Sequence, residues 1–594
     1  MNVSTSHRWS DRLRTATTVL TYLLVLLAVA FCWSRDDADP DLWGHVRFGL
    51  DRITYGLPTG TTYSYTAGNT WINHELAAEW IFAVIAKETG SFGLLALKLA
   101  LGIAVAACWL KRHHRDAVAP GISFAAVLLG AWGLAHFWSV RPQIFSFLYF
   151  TLLLLLLGHA FFGWEGNLSW PWPRPKPRAD DMMTSPYPYD SQRMRTLWLA
   201  PVLFALWANT HGAFVAGLAV YIVYLAGRMI EAWWLRGPYA LGHARRFTLM
   251  AEAAAFATAL QPYGLKLHWW LWNSLRTPRP EITEWHPPDL ASASGLALVA
   301  ALSLFAITAL FSKRPRDLVQ WILLAILACM ALTHERHTPF FLIAWVLWIP
   351  PHLQSCWESL TSRFPSKKRE EVKPQWGLAL LLFGVITLSL ALWPKLGPIR
   401  VEKSRYPVGA VEYLAKHGWN GRIVVTYNWA QYVLASVGAR NAFCPGLMLA
   451  FDGRFRTAYP QEQVDAHFDF LLGDVPALRW RSPKSPPFDP TRTLRDGHPD
   501  LVLVERHPSR ASRIMAEQPE FILLYRDGLA EVWGRFNRFG DPASPDYVPP
   551  EERPITDARP EGWVAWPALP VRHDRPAYQI GMTFGSSAAK SALP

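Results

Sequence analysis

The sequence predicts a polytopic α-helical membrane domain followed by a small soluble α/β domain on the outer side of the membrane. Three observations carry that prediction. The 594 residues are 51% hydrophobic and 14% aromatic, too apolar for an ordinary soluble protein and too long for one domain. The apolar residues gather into runs long enough to cross a hydrocarbon core of about 30 Å as helices. After residue 395 the pattern turns to short apolar strands alternating with amphipathic helices, which implies a small mixed or parallel sheet.

The first run, residues 16–33, follows Arg8, Arg12 and Arg14. With so many spans behind it, it reads as an uncleaved first helix whose N-terminus is cytoplasmic, not as a signal peptide. Residues 34–91 then form a large first outer loop. The piece 76–86 within it is short and carries Glu79. Counted as a span, it would push Lys111, Arg112, His113, His114 and Arg115 outside, so it reads as an interfacial amphipathic helix. Spans at 92–110, 118–137, 143–163, 197–210, 213–230, 247–260, 295–311, 319–332, 340–353 and 376–393 bring the total to about eleven. The basic clusters Arg174, Lys176, Arg178, Arg193, Arg195, then Arg236, Arg245, Arg246, then Lys313, Arg314, Arg316 and Arg363, Lys367, Lys368, Arg369, Lys373 all fall inside. A Trp-rich helix at 266–276 belongs to the outer interface.

The domain plan is therefore 1–394 in the membrane, 395–540 as the extracytoplasmic α/β domain and 541–594 as a Pro-rich, irregular tail. Helices are expected at 408–417 and 429–436, and strands at 421–426, 499–505, 521–525 and 529–533.

Several function classes drop out. The net charge of +12 lies in short clusters between apolar runs, a topology signal and not a nucleic-acid surface. Five single cysteines, Cys32, Cys108, Cys329, Cys356 and Cys444, form neither a disulfide framework nor a zinc motif. There is no phosphate-cradling Gly-rich loop, GxSxG or HExxH, and His334 and His337 lack a third ligand.

Candidate chemistry collects on the outer face. The first loop holds Asp36, Asp37, Asp39, Asp41, His45, His74 and Glu75, interleaved with Trp43, Phe48, Tyr55, Tyr63, Tyr65 and Trp71. Amphipathic rings of this kind suit a loop folded down against the bilayer. Arg141, Asn209, His211, Glu281, Glu284, His286, His334, Glu335, Arg336 and His337 reach the same side, and such groups at membrane depth imply a polar cavity. A carboxylate can serve as general base or hold a divalent cation. Arginine suits a phosphate, so Arg141 and Arg336, each at a mouth between spans, are the donor-phosphate candidates.

The motif Asp39-Pro-Asp-Leu-Trp-Gly-His45, the segment Pro58 to Thr66 ending Tyr-Ser-Tyr-Thr, and the motifs Asn73-His-Glu75, Asn209-Thr-His-Gly212 and Glu284-Trp-His-Pro-Pro288 resemble bacterial membrane proteins related to the GT-C class of glycosyltransferases. That class includes protein mannosyltransferases, oligosaccharyltransferases and lipid A aminoarabinose transferases. The resemblance covers the membrane part, about two thirds of the chain. It implies a catalytic acid in the first outer loop, a polyprenyl-phosphate sugar donor in the membrane lipid, and a glycan, lipid or protein acceptor. Matched by position, Asp41 is the expected base with Asp39 in support, and His45, His74, Glu75, His211 and Glu284 are acceptor-side or supporting residues. Metal dependence stays open, a divalent cation being compatible with the loop. Two rivals remain: a non-catalytic scaffold or lipid-binding component of an envelope assembly, and a transporter, which the scarcity of charge within the spans disfavours.

Overall fold

A computed structural model describes residues 3–56, 60–68, 71–164, 169–170, 191–363, 374–439, 446–506 and 509–570. Pro58, Arg174, Lys176, Arg178, Lys367, Lys368, Arg369, Lys373, Cys444 and the end of the tail from 571 lie outside the described residues. The chain divides into two compact units. One is helical and comprises Met1–Arg35, Ala96–Gly264 and Glu284–Gly397; the other is mixed and comprises Asp36–Leu95, Leu265–Thr283 and Pro398–Pro594.

Among the described residues, seven helices are long and apolar enough to cross a membrane, and Leu318–Thr333 is a shorter apolar helix. Three other expected spans are helical but fall outside that set: Leu199–Thr210, Leu241–Ala257 and Thr338–Trp348. Proline sets the limits of the last of these. Pro339 opens it and Pro350 begins the next helix, Pro350–Thr361, where a ring without an N–H fits the first turn.

Tryptophan packing holds the helical unit together. Trp33 at the end of the helix Val3–Cys32 stacks on Trp138 at 3.9 Å and meets Trp109 edge-on at 6.2 Å. Its indole N–H donates to the Ala131 carbonyl at 2.8 Å. Gly102 makes room for that ring, since a Cβ there would stand 2.4 Å from it. An ionic cluster is also buried here. The Arg228 guanidinium donates to Glu231 at 2.7 Å, to the Tyr224 hydroxyl at 2.8 Å and to Asp317. Asp317 also accepts from the Val319 and Gln320 amides, capping Leu318–Thr333.

The mixed unit is built on a five-stranded sheet. Its strands are β1 (Gly421–Val425), β2 (Leu447–Leu449), β3 (Leu501–Glu505), β4 (Phe521–Arg526) and β5 (Ala530–Arg535), in the order β2-β1-β3-β5-β4. β1 runs parallel to β2 and β3, whereas β5 runs antiparallel to β3 and β4. Both parallel centre strands are continuous apolar runs, and Ile423 to Val425 and Leu501 to Val504 are fully buried, as expected when a parallel strand is covered on both faces. The helix Val408–His417 precedes β1 and ends at Gly418 in the left-handed region, a common helix stop.

Two further segments of chain fold with this sheet. Tyr63 and Tyr65 exchange backbone hydrogen bonds with Leu449, so the first loop extends the β2 edge. Asp36 exchanges main-chain contact with Arg400, and their side chains pair at 2.8 Å. The loop aromatics therefore have a different destination from the bilayer expected of them. Trp43, Phe48, Tyr63 and Trp71 are buried within the mixed unit, where the Arg454 guanidinium lies over Phe48, Tyr63 and Trp71 at 5.0–5.8 Å. Arg454 is itself held by Asp452 at 2.7 Å. A buried cation of this kind takes ring faces and a carboxylate in place of water. Tyr55 stays exposed. Beyond the sheet, Trp563–Ala565 pairs with Arg400–Glu402.

Candidate functional site

Asp41 stands at the N-terminal end of the helix Leu42–Tyr55, with Asp39 two residues before it. The Asp39 carboxylate accepts from the Asp41 amide at 3.0 Å, an Asx turn that fixes the entry into the helix. One helical turn on, the His45 amide donates to the Asp41 carbonyl, so the Asp41 and His45 side chains share a helix face. Gly44 and Gly453 shape the space around Asp41. A Cβ at Gly453 would lie 2.5 Å from the Gln431 amide nitrogen and 3.0 Å from Asp41 Oδ1. Gln431 is buried at 5% exposure, and its carbonyl oxygen has no hydrogen-bond partner among the described residues.

His45 faces the start of the helix Leu76–Arg115. Its Nδ1 lies 3.5 Å from Glu79 and 3.7 Å from Glu75. A close crossing makes this reach possible: Gly49 sits against the Glu79 carbonyl, 2.2 Å from where a Cβ would be. The helix is then broken at Gly90, with φ 64° and ψ −154°, a conformation natural only to glycine. That break separates the segment bearing Glu79 from the apolar run after it. Asn73 braces both carboxylate residues, donating to Glu79 Oε2 at 2.6 Å and accepting from the Glu75 amide at 3.0 Å. Burial alone would push the His45 imidazolium pKa down. The Glu79 hydrogen bond and the charges of Glu75, Glu79 and Asp41 outweigh it, so the group is pushed up to about 9. His74 lies 3.8 Å from Glu75 and stacks on Trp270 of the helix Leu265–Leu275.

The helical unit gathers the other candidates around the short segment 284–286. The Arg141 guanidinium donates to Glu284 at 2.7 Å. Arg336 lies over the Trp285 ring at 4.4 Å. His334 Nδ1 contacts the Trp285 carbonyl at 2.7 Å, and the Glu335 amide donates to the His286 carbonyl at 2.8 Å. One segment thus collects both arginines. At His337, burial and then Arg336 and His334 lower the imidazole pKa to about 4. His211 stands apart from this group, with its Nδ1 2.8 Å from the Ser146 hydroxyl, which also accepts from the Trp207 indole.

Asp39, Asp41, His45, His74 and Glu75 therefore share the mixed unit, and Arg141, His211, Glu284 and Arg336 the helical one. Sequence reasoning passed over Glu79 and Gln431 as site residues. The Glu75 to Glu79 spacing of four on a helix was a usable signal for the first. Gln431 had none, because its place depends on the tertiary fold. Apart from these groups, a cavity of about 420 Å³ in the helical unit is lined by apolar side chains including Ile122, Leu304, Ile307, Trp345 and Leu353. It offers space for a hydrocarbon chain and no acid–base chemistry.

No family model matches the sequence, and no curated protein matches it closely enough to count as a relative. Solved structures do resemble it. One is the archaeal oligosaccharyltransferase AglB from Archaeoglobus fulgidus in complex with an inhibitory peptide and a dolichol-phosphate, at 10% identity and a TM-score of 0.47, covering 83% of this chain and 69% of that one. Another is ArnT from Cupriavidus metallidurans bound to undecaprenyl phosphate, at 10% identity and a TM-score of 0.42, covering 88% of this chain and 97% of that one. A third is the arabinofuranosyltransferase AftD from Mycobacteria, at 15% identity and a TM-score of 0.39, covering 89% of this chain and 41% of that one. These neighbours fall in the class of membrane glycosyltransferases that the sequence motifs resemble. At such identities and scores the likeness carries no residue assignments.

Proposed function

We propose that the chain is an integral membrane glycosyltransferase that moves a sugar from a polyprenyl-phosphate carrier to an acceptor at the outer face of the plasma membrane. Its membrane domain would cross about eleven times, with the N-terminus inside and the C-terminal domain outside. The observation that carries this reading is the density of acid–base groups on one helix and its neighbour: Asp41 and His45 lie on successive turns, and His45 faces Glu75 and Glu79.

In this reaction the Asp41 carboxylate takes the proton from an acceptor hydroxyl or amine. The acceptor atom bonds to the anomeric carbon from the face opposite the phosphate. The carbon–oxygen bond to the phosphate breaks, and the lipid phosphate leaves with the electron pair, so configuration inverts. Asp39 supports Asp41 by fixing its backbone. Arg141 and Arg336 neutralise the charge on the departing phosphate. His45, His74 and Glu75 border the acceptor, while His211 and Glu284 orient their surroundings.

The test is transfer of labelled sugar from a panel of polyprenyl-phosphate sugars to endogenous acceptors, in membranes containing the intact protein or Asp41→Asn. The substitution is expected to lower transfer by about 10²-fold or more while the protein stays folded. Unchanged transfer would remove Asp41 from the mechanism. No transfer with any donor would favour the non-catalytic scaffold.

A further inference from the structure

His45, Glu75 and Glu79 place one imidazole nitrogen and two carboxylates so that their donor atoms all lie within 4.8 Å of one another. We propose that these three side chains bind a divalent transition-metal ion, zinc being the best match, with a fourth position left to water.

Geometry is the first support. Ligands about 2.1 Å from a tetrahedral ion stand about 3.4 Å from each other, and His45 Nδ1 is 3.5 Å from Glu79 and 3.7 Å from Glu75. The same distances fit poorly to a simple ion pair. Nδ1 carries at most one proton, yet two carboxylates converge on it. Neither reaches the roughly 2.7–2.9 Å of a charge-assisted hydrogen bond. Nearby contacts do close fully, Arg47 to Asp51 at 2.6 Å and Asn73 to Glu79 at 2.6 Å.

Charge points the same way. Two carboxylates face one imidazole, so with both ionised a single ring proton still leaves a net negative charge. Glu79 is only 3% exposed, so water compensates little of it. A divalent ion neutralises the set, and imidazole nitrogen and carboxylate oxygen are both donors that zinc takes, so three of them leave one tetrahedral position open. Asn73 supplies the outer contact. It holds Glu79 Oε2, which leaves Oε1 facing His45, as partners of metal-bound carboxylates commonly do.

The metal site stands independently of the transferase reading, because occupancy is measured without any transfer. The full chain, purified in detergent without an oligohistidine tag and stripped with chelator, is titrated with zinc, and bound metal per chain is read by elemental analysis. One tightly held zinc per chain is expected. His45→Ala should abolish it. Glu75→Gln, a change of nearly equal volume at a side chain 20% exposed, should weaken it at least tenfold and remove the zinc-induced rise in thermal midpoint. His334→Ala should change neither. Equal zinc binding by wild type, His45→Ala and Glu75→Gln would overturn the site, as would a folded wild type that retains no zinc. Manganese displacing zinc at equal concentration would overturn the choice of ion.

Discussion

Arg141 donates to Glu284 at 2.7 Å across 143 residues of sequence, joining the mouth of one helix pair to the segment on which Arg336 also rests through Trp285. Both side chains of the pair are partly exposed, at 22% and 33%, so the pair is worth about 0–1 kcal/mol of stability. Arg141→Gln should therefore leave the thermal midpoint nearly unchanged. If the guanidinium meets the donor phosphate, transfer falls at least tenfold, whereas Glu284→Gln, which removes one partner from Arg141, costs less. Parallel losses in both variants, tracking loss of helical circular dichroism, would assign the pair to structure alone.

The buried cluster of the helical unit makes a contrasting case. Arg228 is fully buried with Glu231 and Asp317, so the removal of one partner leaves an uncompensated charge. Asp317→Ala also strips the cap from Leu318–Thr333. A loss of about 3–5 kcal/mol is expected, seen as a large drop in unfolding midpoint in detergent. A drop under about 1 kcal/mol would mean that the cluster is open to water.

Much of the fold was legible, and the reasons are specific. The helix expected at 408–417 is found over the same residues, because its apolar period is clean and Gly418 stops it. Strands β1, β3, β4 and β5 were likewise signalled by short apolar runs. β2 was not, since three residues beside Gly446 carry no period and are placed by pairing with β1 on one side and with Tyr63 and Tyr65 at Leu449 on the other. The loop aromatics were read as membrane-facing because composition does not say which apolar partner a ring will find. At the site, Asp41, His45 and Glu75 stood out as chemical types. Their surroundings did not: Gln431 arrives from 390 positions downstream of Asp41, and the reach of His45 to Glu79 depends on Gly49 admitting a neighbouring helix.

His467 provides a pH test within the mixed unit. Its ring stacks on Phe451 at 4.5 Å, and neither nitrogen has a hydrogen-bond partner among the described residues. Burial lowers its pKa to about 3, against a small opposing pull from Asp452. Between pH 6.5 and 3 the unfolded chain thus binds a proton that the folded chain refuses, and stability falls as pH drops through that window. Above pH 6.5 the effect vanishes. His467→Phe should flatten this part of the thermal stability profile while changing little at pH 7.5. An unchanged acid slope would mean that the ring is protonated in the fold.

Gly44 and Gln431 allow a steric test of the Asp41 surroundings. A Cβ at Gly44 would stand 2.4 Å from the Gln431 side-chain oxygen, and Gln431 is too buried to swing away. Gly44→Ala should cost about 1–3 kcal/mol by overpacking. The truncation Gln431→Ala opens the space, so the double variant should be more stable than the two single losses added together. The coupling is expected at about 0.5–3 kcal/mol in a thermal or denaturant cycle. Simple additivity would place Gln431 elsewhere than against Gly44. Gly453→Ala approaches from the other side, 3.0 Å from Asp41 Oδ1. It should depress both stability and transfer, because the added Cβ stands 2.5 Å from the Gln431 amide nitrogen and also crowds the carboxylate assigned to take the proton.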